Sequence, residues 1–575
     1  MLPNINLITE SVLGGSVMFL PELLVCCTIV LLLLLRVLRL ADRAHVGPIA
    51  LILTLATLAL AVCQWGGYLG FAAPDSAVAT EQMFGGLLVY DHLTVFLRCF
   101  LLGFAALMIW LTLLTGIPDR EDSADFYVLL LGATLGMMLM ASANHLLMVF
   151  ISIEMASLPS YALAGFLKGR RVSSEAALKY VVYGGGAAGV MLYGISLLAG
   201  KFGTGYLPDL AAGYVQAVQA FDPVLILGTL FLLIGVGFKL AAVPFHFWCP
   251  DVFEGASAEV AGFLSVASKA AALALLIRLV LVFTGVDPLV NGDGNWMAVL
   301  HYIVPALAVF AGLTATFGNL AAFRQTNLKR LLAYSTIAHA GYMMMGLCAL
   351  TTPRLYLPGG QAVIGAEAVL FYLIAYLFMN LGAFAVVAFI RNQIGSEDLS
   401  QMRGLVRRSP WMVVTLSLFL LSLLGIPPLI GFTAKLQIFL ALWRAGQYYW
   451  GAGQSGLGFT LLALLGVGCF NSVISAVYYL KVMKVMIIEG RPEDLEGVEP
   501  VRLPEPAGAV FYATVMALVV IGLGLAWNPL SEVSAKGVER YYPPRVVVAP
   551  SRRAPGGGPA GRARPGPAAR MENRP

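Results

Sequence analysis

The sequence contains few charged residues. Asp, Glu, Lys and Arg make up 12% of its 575 residues, about half the share that is usual in soluble domains. Hydrophobic residues account for 59%, so most segments have no polar face that could meet water. This composition excludes a soluble globular protein and indicates an integral membrane protein.

Motifs that would indicate a bound cofactor are also missing. The seven cysteines show no CxxC spacing, which argues against an iron–sulfur cluster or a zinc site in this chain. No Walker A sequence is present. One GxGxxG match, at residues 451–456, lies in a predicted loop without a preceding strand, so it does not indicate nucleotide binding. We therefore expect no cofactor and no metal within this chain.

Apolar runs of about twenty residues recur along the chain, and each can cross about 30 Å of hydrocarbon as a helix. Strand-like alternation is absent, which favours an all-α polytopic membrane protein. We predict about fourteen transmembrane helices. They lie at approximately 16–38, 48–71, 91–115, 126–142, 144–166, 175–200, 223–247, 256–282, 296–320, 328–350, 365–391, 410–443, 457–486 and 506–528.

Lysine and arginine are concentrated in alternate loops. Cytoplasmic loops of membrane proteins carry this excess, so the N-terminus is predicted to face outward, and with an even number of spans the C-terminus does too. The rich set includes Arg36, Arg39, Arg43, Lys168, Arg170, Arg171, Arg324, Lys329, Arg330, Arg403, Arg407 and Arg408, and the poor set contains Lys201, Arg354 and Arg444.

Five ionisable residues fall near the middle of five predicted helices: Glu154, Lys239, Lys269, His339 and Lys435. A lysine at the bilayer centre costs roughly 3 kcal/mol, so such residues commonly mark an ion or proton pathway. We predict a row of proton-carrying groups at the membrane midplane, in which Glu154 holds Lys239 charged. The alternative is that each charge belongs to a structural ion pair, and that His339 is a hydrogen-bonded core residue.

Prolines interrupt two of the predicted helices. Pro244 follows Lys239, whereas Pro427 and Pro428 precede Lys435. A proline inside a spanning helix frees backbone groups that water or polar side chains must satisfy. We therefore expect a broken helix beside each lysine, as is common in transporters.

Four other charged residues have a simpler interpretation. Arg98 and Arg278 lie toward the ends of predicted spans, so we expect them to extend to the membrane interface. Glu175 and Lys179 are four residues apart at the start of a predicted helix, which is typical of an ordinary surface ion pair.

Two blocks of five spans, 126–282 and 296–486, suggest an internal repeat. Because five is odd, the second copy would be inverted. In each block the fourth span is broken and has a lysine nearby. The predicted division is 1–120 as a three-helix segment, 121–285 and 286–488 as inverted five-helix repeats, 489–540 as a C-terminal helix, and 541–575 as a disordered Pro/Gly/Arg-rich tail.

Four segments carry a resemblance to a known family. They read VGFKLAAVPFHFWCPDVFEGA, SVASKAA, NLKRLLAYSTIAHAGYMMMG and GIPPLIGFTAKLQIF. These segments resemble the antiporter-like membrane subunits of respiratory complex I, and the resemblance covers about residues 80–490. The AHAGY form, with a lysine rather than a glutamate at position 435, is most similar to the N-type subunits of the bacterial NADH:quinone oxidoreductase.

The resemblance implies a role for each buried charge. Glu154 and Lys239 correspond to the coupling pair, Lys269 to the central connecting lysine, His339 to a link between the halves, and Lys435 to the terminal proton carrier. It also implies a proton-translocating enzyme subunit in the bacterial inner membrane, in contact with other membrane subunits and lipids and with no nucleic acid. NADH, FMN, iron–sulfur clusters and quinone would belong to partner subunits.

Other functions stay open at this point. A subunit of a multi-subunit cation/proton antiporter or of a membrane-bound hydrogenase would share the fold, although a lysine at position 435 favours complex I. A purely structural membrane subunit would use its buried charges only to lock assembly. For such a subunit, Lys239→Ala would disrupt assembly but leave proton pumping per turnover intact.

Overall fold

The computed structural model describes residues 15–39, 45–68, 82–119, 121–283, 296–350, 365–490 and 501–538. The predicted disordered tail, residues 541–575, lies outside these ranges, as do Arg43 and Arg354. The described chain is almost entirely helical, because a helix satisfies all backbone hydrogen bonds within one segment, as hydrocarbon requires.

The helices of the first part of the chain lead up to residue 283. They are α1 (Leu20–Val37), α2 (Gly47–Gly66), α3 (His92–Thr115), α4 (Ser123–Ser142), α5 (Leu146–Ala164), α6 (Arg171–Phe202), α7 (Leu207–Gln219), α8 (Pro223–Leu240), α9 (Trp248–Gly255) and α10 (Ala258–Phe283). Two short antiparallel strands, β1 (Gln82–Met83) and β2 (Leu88–Val89), precede α3.

The helices of the second part begin at residue 296. They are α11 (Trp296–Ala322), α12 (Leu328–Leu347), α13 (Gly365–Ile394), α14 (Pro410–Leu424), α15 (Ile430–Gly451), α16 (Ser455–Ile487), α17 (Ala507–Leu525) and α18 (Asn528–Lys536). Short 3-10 turns at Leu399–Met402 and Leu405–Arg407 connect α13 to α14.

The predicted class, an all-α polytopic membrane protein, is confirmed. In the described part of the chain, twelve helices are long and apolar enough to cross a membrane. The predicted spans 328–350 and 410–443 correspond to α12 and to the pair α14–α15, which are not among the twelve. α12 carries several polar side chains, which lower its hydropathy. α14 is apolar but shorter than a full membrane span.

Two helices are broken, as predicted. α8 ends where Ala241 adopts a left-handed φ of 54°, and the chain continues through Pro244 before α9 begins. α14 ends where Gly425 adopts a φ of 92°, and the chain continues through Pro427 and Pro428 before α15. A left-handed residue just after a helix is a common helix stop. Each break therefore combines such a stop with a proline that prevents immediate continuation.

α10 and α13 form the centre of the bundle. The most apolar window of α10 is wholly buried, and that of α13 is 89% buried. The same windows of α1, α2 and α6 are each only 28% buried, so these helices present most of their surface outward. A helix that is apolar all round is one that is surrounded by other helices. Charged residues on α10 are consequently enclosed by protein rather than by lipid.

Two elements were absent from the sequence prediction. The strand pair β1–β2 is only two residues long on each side, too short to give a period-2 signal. α7 is an amphipathic helix whose buried side contains Leu207, Leu210, Ala211 and Tyr214. These residues have the i, i+3, i+4, i+7 spacing of one helix face, so this signal was available in the sequence.

Candidate functional site

Lys239 and Glu154 lie close together but are not in direct contact. Lys239 is fully buried in the last turn of α8, and its Nζ donates a hydrogen bond to Ser157 Oγ at 3.1 Å. Ser157 follows the half-buried Glu154 by three residues on α5, so both side chains lie on one helix face. Glu154 interacts electrostatically with Lys239. Ser157 thus holds the ammonium one helical turn from the carboxylate.

Lys269 lies on the central helix α10 without a hydrogen-bond partner among the described protein atoms. Its Nζ is 5.8 Å from the centroid of the Phe253 ring on α9, and the hydroxyl of the adjacent Ser268 is also unpartnered. A buried charge without polar partners costs several kcal/mol. The ammonium of Lys269 is therefore sensitive to any charge or water molecule that reaches it.

His339 is enclosed by hydroxyl groups. Its Nδ1 is 2.7 Å from the Tyr372 hydroxyl on α13, and its Nε2 is 3.2 Å from the Tyr479 hydroxyl on α16. Tyr479 is in turn hydrogen-bonded to Ser335. Because a neutral imidazole donates from one nitrogen and accepts at the other, this arrangement suits passage of a proton across the ring.

Lys435 is bound by the second helix break. Its Nζ donates to the Leu424 carbonyl oxygen at 2.8 Å and to Ser472 Oγ at 3.2 Å. Leu424 is the last residue of α14, and the final carbonyls of a helix have no partner within it. The Lys435 ammonium also lies 4.9 Å above the Tyr342 ring, which adds a cation–π contact.

An aromatic ring lies between His339 and Lys435, two of the five predicted residues. The Tyr342 ring that carries Lys435 is centred 5.8 Å from the His339 ring. On the other side of His339, the Tyr376 ring is 5.2 Å away. Asn380 lies one helical turn beyond Tyr376.

Asn380 links α13 to the central helix, but among the described atoms no hydrogen bond from it or from Ser265 reaches Lys269. Its amide nitrogen donates to Ser265 Oγ on α10, and Ser265 lies one helical turn before Lys269. No hydrogen bond between Lys239 and Lys269 is present among the described residues. The structure thus groups the predicted residues as a Glu154–Lys239 pair and a His339–Lys435 pair, with Lys269 on the central helix.

The expectation for Arg98 and Arg278 is wrong. Arg98 is fully buried, and its Nε donates to Glu22 at 2.7 Å. Arg278 makes a bidentate pair with Asp91 at 2.9 and 3.1 Å, with both side chains 1% exposed. Proximity to a span end suggested exposure, but a carboxylate at the same end of another helix binds each arginine inside the protein. Glu22 and Asp91 were the overlooked sequence signal.

Glu175 and Lys179 also form more than a surface pair. Lys179 Nζ lies 2.8 Å from Glu175 and 2.7 Å from Asp251 of α9. Arg330 of α12 binds the same Asp251 at 2.6 Å and Glu254 at 2.7 Å. The predicted pair therefore belongs to a network that joins α6, α9 and α12. The network fixes the short helix that follows the first break.

Metal and nucleotide motifs do not add to this site. Among the residues that the structure describes, no group of three or more His, Cys, Asp or Glu side chains is placed to hold a metal ion. The GxGxxG match at residues 451–456 spans the turn between α15 and α16. It therefore lacks the strand-to-helix context of a nucleotide-binding loop.

A helical membrane bundle with two broken helices, each with a buried lysine near the break, is typical of membrane transport proteins. Comparison with known proteins gives the family. The chain belongs to the NADH:quinone oxidoreductase/Mrp antiporter transmembrane family, whose model matches residues 143–460. The resemblance found in the sequence motifs is thereby confirmed.

Relatives match over nearly the whole chain. An NADH-quinone oxidoreductase subunit N from Anaeromyxobacter is 39% identical, covering 87% of this chain and 92% of the relative. A subunit N 2 from Sorangium cellulosum is also 39% identical, over 90% and 96% of the two chains. A chain of respiratory complex I from Thermus thermophilus superposes with a TM-score of 0.67 at 32% identity, covering 90% of this chain and all of that one. A chain of the Mrp complex from Dietzia has a TM-score of 0.74 at 21% identity, which shows the shared fold.

Proposed function

We propose that this chain is a proton-translocating membrane subunit of a bacterial NADH:quinone oxidoreductase. The observation that carries this proposal is the burial of Lys269, His339 and Lys435 on α10, α12 and α15, with the Tyr342 ring between His339 and Lys435. Membership of the family and 39% identity to a subunit N support the same function. As part of that enzyme, the chain moves protons while quinone is reduced elsewhere.

The proposed mechanism begins at the Glu154–Lys239 pair. While Glu154 is ionised and near, it stabilises the ammonium of Lys239. When a neighbouring subunit draws the Glu154 charge away, Lys239 releases its proton and the amine of Lys269 accepts it. The proton then passes by way of His339 and leaves from Lys435 when the charges reset. Each transfer is an electrostatic response to the adjacent charge.

The two breaks give these lysines access to polar surroundings. At the first break, the chain around Pro244 leaves helical geometry immediately after Lys239. At the second, Pro427 and Pro428 separate α14 from α15, and a freed carbonyl receives Lys435. Irregular backbone at membrane depth is tolerated where it lines a polar cavity. We assign both breaks to proton entry or exit.

The proposed internal organisation follows the two breaks. Residues 121–285 and 286–488 form two inverted five-helix repeats, preceded by a three-helix segment at 1–120 and followed by a C-terminal helix within 489–540. The lysine precedes the first break and follows the second. This reversed order supports unequal roles, with the first repeat releasing a proton internally and the second releasing it outward.

The proposal also covers the orientation of the chain in the membrane and its partner subunits. The loops rich in Lys and Arg face the cytoplasm of a bacterial inner membrane, and both termini face the periplasm. The chain packs against other membrane subunits of the complex and against lipid. NADH, FMN, iron–sulfur clusters and quinone bind in partner subunits.

Copurification tests the enzyme assignment. The chain, tagged and extracted in mild detergent, is expected to bring down subunits that oxidise NADH, in stoichiometric amount. Mass spectrometry of the purified complex identifies them. Recovery of cation/proton antiporter or hydrogenase subunits instead would contradict the assignment and support one of the related complexes. A sample from cells with the untagged chain is the control for non-specific capture.

Replacing His339 by phenylalanine tests the proposed connection between Lys269 and Lys435. The ring size is roughly kept, but both hydrogen bonds, to Tyr372 and Tyr479, are lost. We expect a several-fold loss of proton transport with the assembled complex still present, measured by dye quenching in proteoliposomes. His301→Phe on the exposed side of α11 is the matched control. Equal transport by the two variants would mean that His339 is only a core residue.

A further inference from the structure

A second titratable group lies on the central helix and has no role in the mechanism above. Glu259, in the first turn of α10, is fully buried. Neither of its carboxyl oxygens has a hydrogen-bond partner among the described protein atoms. Buried polar atoms are nearly always hydrogen-bonded, and an unpaired buried carboxylate is costly. Glu259 therefore needs a proton, a water molecule or a compensating charge.

Glu259 and Lys269 lie on the same helix, about 80° apart around its axis at 3.6 residues per turn. The two are ten residues apart on α10, which corresponds to about 15 Å along the axis at 1.5 Å per residue. Ser265 and Ser268 lie between them, and Ser268 Oγ is likewise unpartnered among the described atoms. The polar groups of Glu259, Ser268 and Lys269, all on α10, thus lack hydrogen-bond partners among the described protein atoms.

The start of α10 is connected to the protein surface through a charged group. Lys329 at the start of α12 interacts electrostatically with Glu259. Its Nζ donates to the Ala256 carbonyl at 2.7 Å and lies 3.2 Å from Glu397. Glu397 is 16% exposed and also contacts Arg391. Glu259 therefore lies between a partly exposed carboxylate and the enclosed Lys269.

We propose that Glu259 is a proton-relay group that serves Lys269 as a second proton donor beside Lys239, from the end of the bundle where Lys329 and Glu397 lie. The carboxylate of Glu259 takes a proton from a hydronium ion near Glu397 and forms an O–H bond, and the hydronium is left as a water molecule. That bond breaks as the neutral amine of Lys269 gains an N–H bond, with the proton carried between them by water. One proton moves, the carboxylate is restored and no electron is transferred. This inference rests on the proposed proton-translocating function.

A different role for Glu259 would be to balance charge. Lys329 and Arg391 are two cations, and Glu397 alone offers them one carboxylate. In that case the negative charge of Glu259 would matter, but its ability to bind and release a proton would not. Removing both Glu259 and one cation would then restore the balance.

The test uses the complete complex reconstituted in liposomes. Glu259→Gln keeps the shape of the side chain and removes its titration, so a several-fold drop in NADH-driven proton uptake and quinone reduction is expected. Glu259→Asp keeps the carboxyl group and should retain a larger share of both rates. Wild-type rates in an assembled Glu259→Gln complex would overturn the relay. Restoration of both rates by the double variant Glu259→Gln/Lys329→Gln would also overturn it, in favour of charge balance.

Two comparisons keep this test independent of folding and of the general mechanism. If the Glu259→Gln complex does not assemble, the wild-type complex is treated with a membrane-permeant carbodiimide, which modifies protonated carboxyl groups. Mass-spectrometric detection of modified Glu259 supports the relay, and absence of modification there overturns it. Lys239→Ala is measured in parallel. If Lys239→Ala lowers the two rates and Glu259→Gln does not, only the relay is contradicted. If neither variant lowers them, the proposed function is contradicted as well.

Discussion

Lys239→Ala is expected to lower proton transport and quinone reduction together, by about tenfold or more, while the complex still assembles. The ammonium of Lys239 is fully buried and its hydrogen-bond contact is Ser157 Oγ at 3.1 Å. Removing it leaves Glu154 without its partner and removes the group that would pass a proton to Lys269. Proton uptake and NADH:quinone reductase rates, measured on the purified complex in liposomes, test this expectation.

Two further variants separate proton release from simple charge. Lys239→Arg keeps a positive charge at this position, but an arginine does not release its proton in proteins, so transport should fall here too. Lys201→Ala, at the partly exposed end of α6, is the matched control and should leave both rates unchanged. Wild-type pumping by an assembled Lys239→Ala complex would show that the buried charges are not a pathway. Loss of assembly with pumping per turnover intact would support the structural alternative.

The second large effect concerns stability. Arg278→Met removes one partner of a bidentate pair in which both side chains are 1% exposed. Leaving a buried charge uncompensated costs about 3–5 kcal/mol, so we expect much less assembled complex and a lower thermal transition. Native gel electrophoresis and thermal unfolding of the detergent-purified complex measure these two quantities.

A double variant and a surface pair provide the controls. Arg278→Met/Asp91→Asn removes both charges while asparagine still caps α3, where Asp91 accepts from the Thr94 N–H at 2.9 Å. This double variant should recover most of the lost stability. Arg36→Met breaks a partly exposed pair with Asp125, which is worth about 0–1 kcal/mol. Equal losses for Arg278→Met and Arg36→Met would contradict the importance of burial.

The helical class and the position of each charge along its helix could be predicted from the sequence, because both depend on short segments of the chain. Glu154, Lys239 and Lys435 each stand out as charges inside apolar runs, and prolines near the two lysines predicted the breaks. The family was also recognisable, since its motifs lie around these same residues. All of this information is local in the chain.

Contacts between helices could not be predicted in the same way. Arg98 pairs with Glu22 across 76 residues, and Arg278 pairs with Asp91 across 187. Which helices are neighbours depends on side-chain packing over the whole bundle, and the sequence of a single segment does not contain that information. For the same reason the sequence did not reveal the hydrogen bond between His339 and the Tyr372 hydroxyl.

The hydrogen bond between Lys435 and the Leu424 carbonyl links the two half-helices on either side of the second break. The lysine belongs to α15, whereas its carbonyl partner is the last residue of α14. The energy of the ammonium therefore depends on how the two half-helices are placed relative to each other. A displacement of α14 by about 1 Å, too small to alter the fold, would lengthen a hydrogen bond of 2.8 Å beyond its normal range. A displacement of α14 relative to α15 would therefore change the hydrogen bonding of the ammonium without any ligand touching the lysine.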